Sequence, residues 1–343
     1  MKMNKIILPE PPNVLKSIRN GFDAITKHLI LLIFPIGLDL ILWFGPHLQI
    51  KTLIERLVFE MNEVSLEVSQ VLPADFGDVM ETGQEIWLAA GEKINLLIAL
   101  RSLPVGIFSL LSSILPVENP LGTPLFWDIP SLSGAISLTV GIFLVGLVLG
   151  GLYFAAVRQV ALFDELKWRV IMGDWPRVSL QSILLSFMWL VLFMAIMVVG
   201  SCAATVITLF SVSLGQIVII LFGIMSFWLV FPLFFSPHGI YSQGQKAWKS
   251  LLSSIRLTNL TFIKTSLFIL VAILVNQGLN MVWQISPENS WLMLISILGH
   301  AFVTTGMLSA SFVYYQDMNR WMEELQAISA PKPIIEERST IEN

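Results

Sequence analysis

The residues with the most chemical potential are a carboxylate and a histidine inside apolar runs. Asp39 lies about 16 Å into the first apolar run, at 1.5 Å per helical residue. His300 lies about 15 Å into the last run, counted from its other end. An ionisable group at such depth is costly unless it is paired or protonated, and such groups mark ion or substrate paths. The similar depths predict that Asp39 and His300 face each other across the interior of a helical bundle.

Two amides extend this candidate intramembrane polar site. Asn276 and Asn280 lie in the outer half of the fifth apolar run, where they could complete a polar cluster with Asp39 and His300. Pro35 precedes Asp39 and indicates a broken helix, an arrangement that transporters use beside a binding site. A simple proline kink explains the same pattern. Two interpretations therefore stay open: a transport site, or a hydrogen-bonded group that fixes helix packing.

Other chemistry is not indicated by the residue patterns. The nucleotide-binding, zinc-protease and serine-hydrolase motifs are all absent from the sequence, so we predict no catalytic residue. Cys202 is the one cysteine, and the four histidines lie far apart, so neither a metal nor a cofactor is predicted. The net charge of −4 and the lack of a dense basic run argue against nucleic acid as a partner.

The composition identifies lipid as the solvent of this chain. Of the 343 residues, 55% are hydrophobic and only 13% are charged, whereas soluble domains have about 25% charged residues. A helix that spans the membrane needs about 20 apolar residues. Six runs qualify, which predicts an all-α, polytopic transmembrane helical bundle: 28–45, 133–157, 182–206, 213–236, 262–284 and 291–314.

The basic residues decide how many of the apolar runs cross the membrane. The run 92–116 is long enough for a seventh span, but Arg101 and Pro104 interrupt it. With six spans and both termini in the cytoplasm, all but four of the 20 lysines and arginines fall on the cytoplasmic side. A seventh span would reverse every later loop. We therefore predict that 92–116 is re-entrant or interfacial, in a multi-pass protein of the inner membrane.

Three segments lie outside the first span and the five-span bundle 133–314. Residues 1–27 are predicted to form a cytoplasmic amphipathic helix that lies on the lipid bilayer, caps the bundle, or does both. Residues 46–132 form an acidic external segment, in which 49–71 has the periodicity of a helix. Residues 315–343 are predicted to be a cytoplasmic tail with a disordered end.

Small residues in the second run predict close helix packing. Gly141, Gly146, Gly150 and Gly151 would let another backbone approach this helix. The spacing does not distinguish packing within the chain from a self-dimer through this helix. Another membrane protein or a second copy is therefore the predicted protein partner.

The span pattern carries a resemblance to a known class. An amphipathic helix precedes the first span, the stretch Gln245–Leu251 precedes the fifth, and Tyr314–Asp317 forms an aromatic-acidic turn after the sixth. In these features the chain is similar to a class of bacterial six-span integral membrane proteins, and to the membrane domain attached to some glycerophosphodiesterases. The resemblance, mainly over the C-terminal half, implies a fold and no activity.

Two functions follow as hypotheses. The first is a non-catalytic scaffold or accessory subunit of a membrane complex, which would be a well-packed bundle without a continuous polar cavity. The alternative is a small secondary transporter or channel-like protein with a midplane polar site around Asp39. A membrane-embedded enzyme would need an interfacial cluster of polar residues, and the sequence does not supply one.

Overall fold

The computed structural model describes residues 9–68 and 76–329, and the fold is all-α, as predicted. The end of the predicted tail, 330–343, and the stretch 69–75 lie outside the described residues. In the described ranges there are twelve α-helices: α1 Val14–Lys27, α2 Ile33–Phe44, α3 Lys51–Val68, α4 Phe76–Lys93, α5 Leu111–Ile114, α6 Leu132–Phe163, α7 Trp168–Thr208, α8 Val212–Val230, α9 Ser236–Gln243, α10 Ala247–Leu260, α11 Phe262–Trp283 and α12 Met293–Ser329. Three short 3₁₀ helices accompany them: Leu29–Leu32, Leu96–Leu100 and Phe231–Leu233.

Five long helical stretches are apolar enough to cross a membrane. Four of them are the single helices α6, α7, α11 and α12, and the fifth is the stretch Val212–Gln243, which contains α8 and α9. A sixth candidate is the pair formed by α1 and Leu29–Phe44, which is bent by 92°. Only Leu29–Phe44 is continuously apolar, so this member of the pair is the candidate span, and α1 lies nearly perpendicular to it. This is the composition of a multi-pass membrane protein, and the described residues supply five candidate spans, or six if the bent pair counts as one.

Polar caps set the ends of the helices around the core. The Asn13 side chain accepts a hydrogen bond from the Lys16 N–H at the start of α1, and Ser131 does the same for Gly134 at the start of α6. The helix α9 ends at Gly244, whose φ of +64° suits a residue without a Cβ. The two side-chain caps satisfy N–H groups that a helix start leaves unpaired, and the Gly244 N–H donates to the Gly239 carbonyl at the end of α9.

The core forms where α1 packs along α12. A Cβ on Gly21 would lie 2.3 Å from the Ala310 nitrogen, so the two backbones are in direct contact. Phe22 lies over Gly306, and Trp321 Nε1 donates to the Pro9 carbonyl at 2.8 Å. The amphipathic helix before the first span therefore packs against protein. The structure also corrects the turn implied at Tyr314–Asp317, because these residues continue α12, which runs on to Ser329.

The two ends of the bundle differ in structure. At one end, which we call the cap end, α3 packs against α4, and the strands His47–Gln49 and Phe126–Asp128 pair in parallel. At the other, the tail end, Lys27 Nζ donates to Asp164 at 2.5 Å and joins the end of α1 to the end of α6.

Candidate functional site

Asp39 is fully buried on α2, and its carboxylate accepts three hydrogen bonds from one stretch of chain. The Ser109 hydroxyl donates at 2.5 Å, and the backbone N–H groups of Leu110 and Leu111 donate at 3.2 and 3.0 Å. These N–H groups lie at the start of α5, where a helix offers no backbone acceptors of its own. Asp39 therefore caps α5 from another helix, and a carboxylate is the favourable charge at that position.

The helix α5 belongs to residues 96–116, which we call the inserted segment. The segment starts and ends at the cap end. Before it, Asn95 accepts a hydrogen bond from the Leu48 N–H, and after it, Asn119 donates to the Trp43 carbonyl. In the membrane such irregular backbone must be shielded from lipid by protein. Its shielding comes from α2 on one side, through Asp39, and from α6 on the other.

Two glycines of α6 create the room for the inserted segment. A Cβ on Gly146 would lie 2.4 Å from the Leu100 carbonyl oxygen, and a Cβ on Gly150 would lie 2.6 Å from the Gly106 Cα. At 1.5 Å per residue, Gly150 is about 27 Å from the first residue of α6 and about 20 Å from the last. The inserted segment thus reaches the middle of α6 before it returns to the cap end.

The other two glycines of the predicted packing set have different surroundings. A Cβ on Gly151 would lie 3.1 Å from the Ser179 hydroxyl and 3.4 Å from the Tyr241 hydroxyl, on α7 and α9. A Cβ on Gly141 would meet nothing within 4 Å. Three of the four glycines therefore contact the chain itself, and their close packing does not require a second copy.

His300 is buried on α12, but among the described residues no hydrogen bond or ion pair joins it to Asp39. Arg101, in the segment between the first two predicted spans, donates from Nη1 to the Ser112 hydroxyl at 2.7 Å. The direct Asp39–His300 pair expected from their depths is therefore not formed.

The two predicted amides, Asn276 and Asn280, also have different surroundings. Among the described residues, the side-chain oxygens of Asn276 and Asn280 both lack a hydrogen-bond partner. Asn276 lines a cavity of about 380 Å³, whereas Asn280 is not among its lining residues. Neither Asp39 nor His300 lines this cavity. The predicted polar site is thus divided into a capping carboxylate, a separate histidine and a cavity-lining amide.

The cavity lies between α9, α11, α12 and the inserted segment. Its walls are mostly aromatic and aliphatic, with Phe108, Phe234 and Phe268 among them. Five polar side chains interrupt these walls: His238, Asn276, Gln277, Thr304 and Ser311. An apolar cavity of this size with a few polar groups is typical of small-molecule sites.

His238 is a polar residue of this cavity that the sequence pattern did not single out. It is 3% exposed, and Nε2 lies 2.7 Å from the Ser311 hydroxyl oxygen. That oxygen also lies 2.7 Å from the Leu308 carbonyl oxygen, and both contacts are hydrogen bonds at once only if the hydroxyl donates to Leu308 and Nε2–H donates to Ser311. The signal in the sequence was a lone histidine after Pro237, just beyond the predicted span 213–236.

The hydrogen bonds of His238 and Ser311 differ from those of a catalytic histidine and its nucleophile. The Ser311 proton is engaged by a carbonyl, and no described residue partners His238 Nδ1, so the pair lacks the acid that orients a catalytic histidine. In the part of the chain that the structure describes, no group of three acidic, histidine or cysteine residues could hold a metal ion.

In comparisons with known proteins, no family model, no curated protein and no solved structure matches this chain.

Proposed function

We propose that this protein is a non-catalytic integral membrane protein that serves as a scaffold or accessory subunit of a membrane complex. The role of Asp39, the one carboxylate in the six apolar runs, carries the proposal. Its three acceptor bonds go to the inserted segment. A carboxylate that carries an ion or a substrate must exchange partners, and each buried donor left unpaired costs about 1–3 kcal/mol. This geometry supports a structural role for Asp39.

The alternative, a small transporter with a site around Asp39, receives less support. A transport site needs an open space beside the group that binds the substrate. The cavity of about 380 Å³ lies beside Asn276 instead, and Asp39 is fully buried. The membrane domain of some glycerophosphodiesterases remains a predicted resemblance, and it adds no catalytic residue to either hypothesis.

The proposal includes an orientation in the bacterial inner membrane. The distribution of basic residues supports an orientation with the tail end and both termini in the cytoplasm and the cap end outside. Topology reporters fused after residue 125 and after residue 170 test this. We expect the first to be external and the second cytoplasmic, and the reverse result would overturn the orientation.

The hairpin of α7 and α8 is the surface that we propose for the partner. The two helices contact each other closely, since a Cβ on Gly200 would lie 2.7 Å from the Phe222 ring. Against the rest of the chain they are little covered: 17% of the most apolar window of α7 is buried, and 6% for the stretch that begins with α8. An accessory subunit needs a face of this kind, which its own bundle leaves free.

Cys202 makes the proposal testable at a single position. It is the one cysteine of the chain and is exposed on α7. A photoreactive maleimide on Cys202 should give one protein adduct of defined mass in the native membrane. The matched control is Cys202→Ala combined with Ile295→Cys, which moves the probe to an exposed position on α12. We expect the control to label lipid only.

Either of two results would contradict the accessory role. One is labelling of lipid alone at Cys202, and the other is the same set of protein adducts from Cys202 and from position 295. An adduct at twice the mass of the chain would identify the partner as a second copy, bound through the hairpin.

A further inference from the structure

We propose that the cavity between α9, α11 and α12, which we call the His238 cavity, binds a neutral, membrane-soluble phenol of the quinol type. This inference goes beyond the accessory role and does not depend on it. It rests on two unpartnered acceptor atoms, on aromatic walls and on an opening towards lipid.

His238 Nδ1 is the first acceptor. In the tautomer that satisfies both contacts of the Ser311 hydroxyl, Nε2–H is the donor, and a neutral His238 then carries a lone pair on Nδ1. Among the described residues this atom has no hydrogen-bond partner, although the side chain is 3% exposed. A buried polar atom without a partner is costly. A ligand hydroxyl in the cavity would supply the missing donor.

Asn276 supplies the second acceptor. Its Oδ1 is also buried without a partner among the described residues, and the residue lines the same cavity from α11. The nearby Thr304 hydroxyl is already engaged, since it donates to the His300 carbonyl at 2.7 Å. The orphaned atoms of the cavity are thus both acceptors, which favours a ligand that donates hydrogen bonds over one that only accepts them.

The walls and the opening define the rest of the ligand. No aspartate, glutamate, lysine or arginine is among the described residues that line the cavity, so a charged ligand would meet no fixed counter-ion there. Phe108, Phe234 and Phe268 favour contact with an aromatic ring. Leu103 and Ile273 also line the cavity and are 64% and 42% exposed, so the cavity opens on the apolar flank of the bundle. A ligand dissolved in the bilayer can therefore enter from the side.

Three forms of one compound test the inference in the full-length protein. Decylubiquinol donates hydrogen bonds, its oxidised quinone only accepts them, and its dimethyl ether has no hydroxyl proton. Binding is measured to protein in lipid nanodiscs, with empty nanodiscs subtracted. We expect the quinol to bind about tenfold tighter than either of the other forms, the equivalent of one good hydrogen bond. Equal binding of all three, or no binding above empty nanodiscs, would overturn the proposal.

Variants tie the selectivity to the named atoms. Ser311→Ala removes the acceptor of Nε2–H, so the ring proton can move to Nδ1, and the preference for quinol over quinone should fall towards one. This ratio does not depend on the folded fraction of the sample. Ala272→Met should fill the cavity and weaken all three forms, whereas Leu274→Ala, at an exposed neighbouring position outside the lining, should change nothing. An unchanged preference in Ser311→Ala would also overturn the assignment.

Discussion

The packed core around α12 is less apolar than the hairpin of α7 and α8, yet it is the more deeply buried of the two. The mean hydropathy of the most apolar window is 1.5 for α12, 2.7 for α7 and 2.6 for the stretch that begins with α8. In its most apolar window α12 is 67% buried, against 17% for α7 and 6% for the stretch that begins with α8. Lipid is as apolar as leucine, so hydrophobicity alone does not bring two helices together in a membrane. The difference shows that close backbone contact and polar bonds, more than apolar area, determine which helices form the core.

The two regions differ in what their small residues contact. Two core glycines meet backbone: Gly21 lies against Ala310, and Gly150 lies against Gly106. In the hairpin, Gly200 meets the Phe222 ring, which can turn aside. The core also has polar bonds between helices, such as Tyr153 to Thr305 at 2.9 Å. The hairpin bonds of Thr208 and Ser226 stay within their own helices.

The largest effect is expected from Asp39→Ala. The change leaves the Ser109 hydroxyl and two N–H groups buried without an acceptor, each at a cost of about 1–3 kcal/mol. We expect little monodisperse protein in mild detergent and a strongly lowered melting temperature. Ser109→Ala, which removes one of the three donors, should lie between this variant and the native protein. If Asp39→Ala melts like the native protein, the capping role is wrong.

A smaller effect is expected from Gly150→Ala. The added Cβ would meet the Gly106 backbone, which cannot rotate away, and overpacking of this kind costs about 1–3 kcal/mol. Gly141→Ala is the matched control in the same helix, because nothing lies within 4 Å of its Cβ, and it should stay within about 0.5 kcal/mol of native. Melting in detergent measures both. A loss of stability in Gly141→Ala equal to that in Gly150→Ala would remove the distinction between buried and open glycines.

Tyr153→Phe tests the polar part of the core. It removes the hydrogen bond to Thr305 and keeps the ring, so we expect a loss of about 1 kcal/mol. Ser226→Ala in the hairpin removes a bond within α8 and should change the melting temperature less. The reverse order of the two variants would contradict the contrast between core and hairpin.

The smallest effect is expected from Gly200→Ala. Its Cβ would lie 2.7 Å from a ring atom of Phe222, which is half-buried and can turn towards lipid, so we expect a loss below about 1 kcal/mol. Pairing it with Phe222→Ala should abolish even this loss. A cost as large as that of Gly150→Ala would mean that the hairpin is as tightly packed as the core.

The sequence predicted the parts of the fold that follow from local pattern. Continuous apolar runs were enough to predict a polytopic helical bundle, and periodicity was enough to predict a helix over 49–71, where the structure has α3. It did not predict the partners of Asp39. Depth along a helix is a local property, whereas the direction of a side chain around the bundle depends on how the helices pack. For this reason depth alone suggested His300 as the partner of Asp39, whereas the packing of the helices brings Ser109 to it.

The amino-acid sequence by itself determined the solvent, the helical class and the glycines that permit close approach, because these depend on residue type and spacing along one helix. Only the tertiary structure decided that Gly146 and Gly150 receive the inserted segment, that Asp39 caps α5, and that His238 and Asn276 line one cavity. The carboxylate with which the chemistry began is thus an anchor. Its partners lie about 70 residues away in sequence, and only packing brings them together.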